Sequence, residues 1–496
     1  MRNEYLDKWE KCVPNLKKVL AQMQEKTIIA TGTNAYHGII ISSFLKNFIS
    51  FAVNNSVDVN VLRHYMDVSC LEEKYPKVAQ KIQSTSYLLG NFVFQKFLSS
   101  LTEPFAILLY RTTPPIIKKL KDQKINWMGN YYESFEDVFL KTNFRNLLKT
   151  LNLPSLPTWH LPKKEFLQKS FKEIFEKWGT GFVVQKGDID DSGTFFMRTE
   201  KDWQASYEII SKNDRFHEIQ ISPLIVGPSL SMLGCITHKG VLTSTLQTQL
   251  IDVPESLCGQ MPEGLFLGHD WGYCPWTKKT EQLAQQIVES IGKHIASKGF
   301  KGIFGVDFIY DQQKDELFPI ECNPRVTGAS PVYSLMTLEL GKIPPIEFFH
   351  LMSLLDIKED FDFETVNNGL KERMPLAHIA ITSMGVYEMK VSLETGVYSY
   401  VPERNVIRFE RPGALLSDIK NEPEFMIIDA VPWPEAKINQ NVPRLCKIIF
   451  KRSIATSSSS IEPVAGEIIS GLSALLRENQ NALEEVEQQE NSFETF

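Results

Sequence analysis

The stretch 303-IFGVDFIYDQQKDELFPIECNPR-325 decides how this chain reads. Two alternating apolar runs, IFGVDFIYD and ELFPIECN, flank a polar QQKD turn, the pattern of a β-hairpin. Each run carries an acid: Asp307 on the first, Glu321 on the second. Asn323 stands two residues beyond Glu321 and so projects from the same strand face. Arg325 lies just beyond. Carboxylates and an amide oxygen on rigid strands suit Mg²⁺ (or Mn²⁺), which takes oxygen ligands and shares them with nucleotide phosphates. The competing reading is a hairpin whose acids are only paired or exposed. The intact ECNPR and the order of the rest of the chain weigh against it.

Working outward, 496 residues leave room for about three domains. No run of about 18 apolar residues occurs, so no membrane span is expected. The start MRNEYLDKWEK lacks the apolar core of a signal peptide. Seven scattered cysteines with no CxxC pair point to a reducing cytosol and to no cysteine-based zinc site. Net charge is −7, but residues 1–150 hold 20 Lys and Arg against 13 Asp and Glu. That basic third suits phosphates or carboxylates. It lacks the aromatic-interleaved patch of a nucleic-acid surface, so no nucleic acid is expected as partner.

Residues 4–26 read as one amphipathic helix and TIIATG (27–32) as a strand entering a Gly-containing turn. GTNAYHG is not followed by GK[ST], so it is no Walker A loop. PFAILLYR (104–111) reads as a buried strand, with a helix from Pro114-Pro115. SFEDVFLKTNFRNLLKTLNLP reads as a single helix opened by Ser134. Strand–helix alternation makes the fold class α/β, with α+β lobes. TGFVVQKG (180–187) is a strand ending in Lys186. The polar loop GDIDDSGTFFMR suits a flap over phosphates, with Gly187 and Gly193 permitting close backbone approach. HEIQISPLIVG (217–227) is a strand leading into a loop. The stretch 252–277 breaks periodicity and reads as a long loop selecting substrate, in which His269 and Asp270 are weighed as an acid/base pair against a structural role. Residues 371–455 read as strand-rich. TSSSS (456–460) reads as a linker, followed by a short helix and an acidic tail. That tail reads as solvated, or alternatively as an export signal of an effector.

The ECNPR hairpin resembles the metal-binding end of the ATP-grasp superfamily, and E-x-N-P-R is most similar to its carbamoyl-phosphate synthetase and biotin-carboxylase branch. The resemblance covers roughly residues 100 to 350. It implies a Rossmann-like pre-ATP-grasp domain (1–133), an ATP-grasp domain with the ATP and metal site (134–370), a small C-terminal strand-rich lobe (371–455), then linker, helix and tail (456–496). It implies Mg²⁺ on Asp307, Glu321 and Asn323. Lys141 and Lys186 would hold the nucleotide phosphates, with Gly187 and Gly193 in the flap. Backbone groups of Ser222, Pro223 and Leu224 would meet the adenine edge. Arg325 would orient the substrate carboxylate. Asp188, Asp190 and Asp191 depart from the family's Gly- and Ser-rich flap. The implied activity is an ATP-dependent carboxylate–amine or carboxylate–thiol ligase that acts through an acyl phosphate on an amino acid, peptide or small acid. A cytoplasmic location and a homodimer go with that reading. A phosphotransferase on the same fold, and a degenerate ATP-grasp interaction protein, are the alternatives.

Overall fold

In a computed structural model of the chain, the structure describes residues 2–477 apart from 83–84, 180, 188–192, 215, 259–262, 384–386, 390–392, 435 and 439–443. The flap acids Asp188, Asp190 and Asp191 and the acidic tail beyond 477 lie outside the described residues.

Thr27–Gly32 (β1), Phe48–Ala52 (β2), Asp67–Cys70 (β3), Phe105–Leu108 (β4) and Trp127–Met128 (β5) make a parallel sheet in the order β3-β2-β1-β4-β5. The order turns back between β1 and β4, which sets a crevice at the carboxyl ends of those strands. Tyr36 and His37 follow β1 there, and Tyr110 follows β4. The N-terminal helix of the sequence is two helices, Arg2–Trp9 and Leu16–Met23. Pro14 lies in the break, where it cannot continue a helix.

Trp159–Pro162 (β6), Phe182–Lys186 (β7), Thr194–Met197 (β8) and Glu218–Pro223 (β9) form an antiparallel sheet, ordered β6-β9-β7-β8. One face packs Phe182, Val184, Ile219 and Ile221 against Ile174 and Trp203 of two covering helices.

The third sheet carries Ser229–Thr237 (β10), Gly240–Thr243 (β11), Gln247–Ile251 (β12), Leu257–Cys258 (β13), Phe266–Asp270 (β14), Gly302–Asp311 (β15), Glu316–Asn323 (β16) and Ala377–Ser383 (β17). Tyr387–Glu388 (β18) pairs apart with Lys437–Ile438, while Gly396–Val401 (β19), Val406–Arg411 (β20), Glu424–Ile428 (β21) and, beyond Lys437–Ile438 (β22), Arg444–Phe450 (β23) continue the large sheet. Its path runs β16-β15-β10-β12-β14-β17-β23-β21-β19-β20, so the strands after residue 371 extend the sheet that holds the hairpin. Helix Lys278–Ser297 covers one face through Ala284, Ile287, Val288 and Ile291.

Three further readings change here. The stretch 252–277 is not one loop, because Phe266–Asp270 is a central strand between β12 and β17. A Cβ on Gly268 would lie 1.9 Å from His378 O, so glycine permits that close pairing. The helix expected from Ser134 is two pieces, Glu136–Phe139 and Lys141–Thr150, because Leu140 turns extended. Ser134 Oγ donates to Tyr131 O, not to a helix start. TSSSS is folded as a turn in which Thr456 and Ser457 both bond Ser460, and the helix Pro463–Arg477 follows.

Candidate active site

The hairpin forms as read: β15 and β16 pair antiparallel, with Asp307 opposite Glu321 and Gly305 opposite Asn323. A bulge after Asp307 leaves Ile320 unpaired, and bulges re-aim side chains beside functional sites. Asn323 Nδ2 donates to Asp307 Oδ2 at 2.8 Å, and Gln249 Nε2 on β12 donates to Oδ1 at 3.0 Å. Asp307 spends the amide nitrogen of Asn323, which leaves the amide oxygen for a cation. Asp307 is partly open at its surface but crowded by protein. Burial, then the charge of Glu321, push its carboxyl up to about 8, while Arg325 pulls the other way. Two carboxylates and one amide oxygen are a partial oxygen shell. That fits Mg²⁺, which completes its coordination with water and substrate phosphates.

Arg325 reaches out of the hairpin to the first domain. Its Nη1 donates to Tyr110 Oη at 2.9 Å, its guanidinium lies 5.4 Å from the Tyr110 ring centre, and the His37 ring lies 6.2 Å from that of the tyrosine. Arg325 thus stands at the crevice end of β1 and β4, close enough to Asp307 for its charge to act on that acid.

The residues expected at the nucleotide are spread over three elements. Lys141 opens the helix Lys141–Thr150, and the next residue, Thr142, donates its Oγ1 to Gly187 O at 3.2 Å. A Cβ on Gly187 would meet Thr142 Oγ1 at 3.1 Å and Glu218 Cβ at 3.0 Å, so the flap base and this helix touch where only glycine fits freely. Gly193 has φ +134, a backbone region that favours glycine, and its carbonyl accepts the Lys186 N–H at 3.1 Å. Lys186 is buried, and alternation along β7 sets it on the side of Phe182 and Val184. Gln185 takes the opposite face, paired across the sheet with Gln220, which in turn stands opposite His160. At the hinge, Pro223 has no N–H and the Leu224 N–H is given to Gly181 O at 2.8 Å, while Ser222 pairs with Val183. Ile225 is therefore the first hinge residue with an N–H not already given to that ladder. The hinge then crosses β15 closely: a Cβ on Gly227 would lie 1.9 Å from Tyr310 O.

His269 and Asp270 are not a dyad. Adjacent strand residues point to opposite faces. His269 is buried, bonded to Ser231 at 3.2 Å and to His378 at 3.1 Å, and burial drives its imidazole down to about 3. Asp270 accepts the N–H groups of Gly272, Tyr273, Ile454 and Ala455 and the hydroxyl of Ser453. It fastens the Trp271–Trp276 segment to the chain after β23.

Residues 151–329 match the family of ATP-grasp domains. The fold resembles the biotin carboxylase domain of the Hydrogenobacter thermophilus 2-oxoglutarate carboxylase, described as a dimer with MgADP and bicarbonate (12% identity, 86% of each chain, TM-score 0.56). It resembles the Campylobacter jejuni biotin carboxylase (13% identity, 87% of this chain and 88% of that one, TM-score 0.57). It also resembles the N5-carboxyaminoimidazole synthase of Aspergillus clavatus, described with ADP and 5-aminoimidazole ribonucleotide (10% identity, 91% and 98%, TM-score 0.50). At these identities the likeness is one of fold. No curated protein matches the sequence.

Proposed function

We propose that this chain, which belongs to the ATP-grasp superfamily through residues 151–329, is an ATP- and Mg²⁺-dependent ligase joining a small carboxylic acid to an amine or thiol. The observation that carries this reading is the meeting of Asp307, Glu321 and Asn323 at neighbouring register positions, with the Asn323 amide oriented by Asp307. In the first step a substrate carboxylate oxygen attacks the γ-phosphorus of ATP, the bond to the β-phosphate oxygen breaks, and ADP leaves. In the second the amine attacks the acyl carbon and phosphate leaves. Both partners of the first step are anions, so fixed positive charge is required. Mg²⁺ held by Asp307, Glu321 and Asn323 supplies charge neutralisation at the phosphates when bound. Arg325 presents its planar fork to the acid substrate from the crevice side, steadied by Tyr110. A cytosolic location and a homodimer are part of the same reading.

The test is ADP and phosphate release by the purified chain with MgATP against paired pools of acids and amines. Release that needs both co-substrates supports the ligase. ADP with a stable phosphorylated acceptor replaces it with a phosphotransferase. One observation favours a second reading: β7 turns Gln185, not Lys186, to the face opposite its helices. A chain that fails to bind MgATP would be an interaction protein on this fold.

A further inference from the structure

Arg145 lies on the helix Lys141–Thr150 one turn after Lys141 and is only 1% exposed. Among the described residues its guanidinium makes one bond, Nη1 to Pro319 O at 2.6 Å, on the outer strand β16. Its Nε is buried with no acceptor. A guanidinium carries a fork of N–H donors and stays charged, so a buried one with a single neutral acceptor is under-satisfied. The acid whose charge it feels is Glu321, two residues past Pro319.

The surroundings say which kind of anion fits. Thr142, Arg145 and Lys149 follow one another along a helix face. Thr142 touches the flap base at Gly187. Lys149 and Arg145 act together on His160, whose imidazole burial and their charges hold down. His160, Gln220 and Gln185 form a polar row on the face of the four-stranded sheet away from Phe182 and Val184, with Gln220 Nε2 donating to Gln185 Oε1 at 3.3 Å. Gln220 Oε1 is buried without a donor. Arg145 therefore sits where the helix, the flap sheet and the metal-bearing strand meet. The cation that the flap strand does not turn to this row is supplied by the helix.

We propose that Arg145 is an anion-binding residue of the nucleotide cleft, its uncommitted N–H groups taking phosphate oxygens of the triphosphate. This rests on the ATP reading above. It explains why a charge is buried beside Glu321 with so few partners: its remaining acceptors arrive with the ligand.

The experiment measures binding of ATP, tripolyphosphate and adenosine to the full chain in EDTA by calorimetry, for wild type, Arg145→Met and Arg145→Lys, with circular dichroism to follow folding. Arg145→Met is expected to weaken ATP and tripolyphosphate by about 10- to 100-fold and to leave adenosine unchanged. Arg145→Lys keeps the charge without the fork and should lose less. Unchanged ATP affinity in a folded Met variant, or adenosine falling in step with ATP, overturns the proposal and leaves Arg145 a structural cap on β16. Should the Met variant not fold, Arg145→Lys decides by the same criterion. Wild type that binds tripolyphosphate through Arg145 but not ATP keeps the anion site and sinks the nucleotide reading. Wild type that binds neither sinks both.

Discussion

At Asp307 an acid is held protonated by burial and by Glu321 until about pH 8. With its folded pKa raised above the ordinary value near 4, Asp307 contributes stability to the metal-free chain that is full below about pH 4 and lost as pH rises through about 8. A divalent cation needs the ionised form, so Mg²⁺ affinity rises over the same window. The gain in Tm on adding MgATP should be larger at about pH 9 than at about pH 6, and this difference should vanish in Asp307→Asn. A gain independent of pH in the wild type would remove Asp307 from the metal site. Asp307→Asn and Glu321→Gln should each lower ADP formation by about 10²-fold or more in a folded protein, as measured by steady-state turnover. The acids and Asn323 were legible because alternation, a polar turn and ECNPR occur within one short segment. Gln249, Arg145 and Tyr110 were not, since they reach the same hairpin across 58, 174 and 215 residues of chain. No local pattern marks such contacts.

Among the elements, β14 is the instructive failure. FLGHD offers no clear alternation: glycine stands at its centre, His269 is buried in a chain of side-chain bonds, and Asp270 binds backbone N–H groups. Its central place comes from pairing with β12 on one edge and β17 on the other, which no local window contains. Asp270→Ala should strip the acceptor from four backbone N–H groups and cost about 2–4 kcal/mol in chemical denaturation. A loss below about 0.5 kcal/mol would contradict its role as a fastening. The hinge makes a parallel case. Gly227→Val has no room above Tyr310 O, so it should displace the hinge and weaken adenosine binding measured by calorimetry. Unchanged adenosine affinity would place the base elsewhere. The flap strand, by contrast, ends at Lys186 as read. Which of its side chains faces which side depended on the register with β9, which a single strand does not contain.

Over the whole molecule, the first domain is built into the rest and does not stand apart. Its apolar core runs on from Trp9, Ile28 and Tyr36 into Phe348, Met426 and Ile449. A buried carboxylate completes the joint: Asp58 accepts the N–H of Asp429 at 2.9 Å and of Val431 at 3.0 Å, and the hydroxyl of Thr395 at 2.9 Å. Asp429 and Ala430 both hold positive φ, strain that this clamp over-determines, and Asp429 pairs with buried Lys447 at 2.9 Å. Asp58→Ala should lower stability by about 3 kcal/mol and split the thermal unfolding curve, as the first domain releases from the large sheet. A single unshifted transition would contradict this. The α/β class was readable from strand–helix alternation. The continuity of one sheet from the hairpin to β20 was not, because it is made by pairings between distant strands. The central claim is that this joined structure carries a working carboxylate-activating site. It is tested most directly by nucleotide product analysis of the purified chain with MgATP and pooled acids and amines, beside Asp307→Asn. ADP and phosphate appearing only with an acid–amine or acid–thiol pair, and lost in the variant, is the expected result. ADP formed equally by both proteins would contradict it.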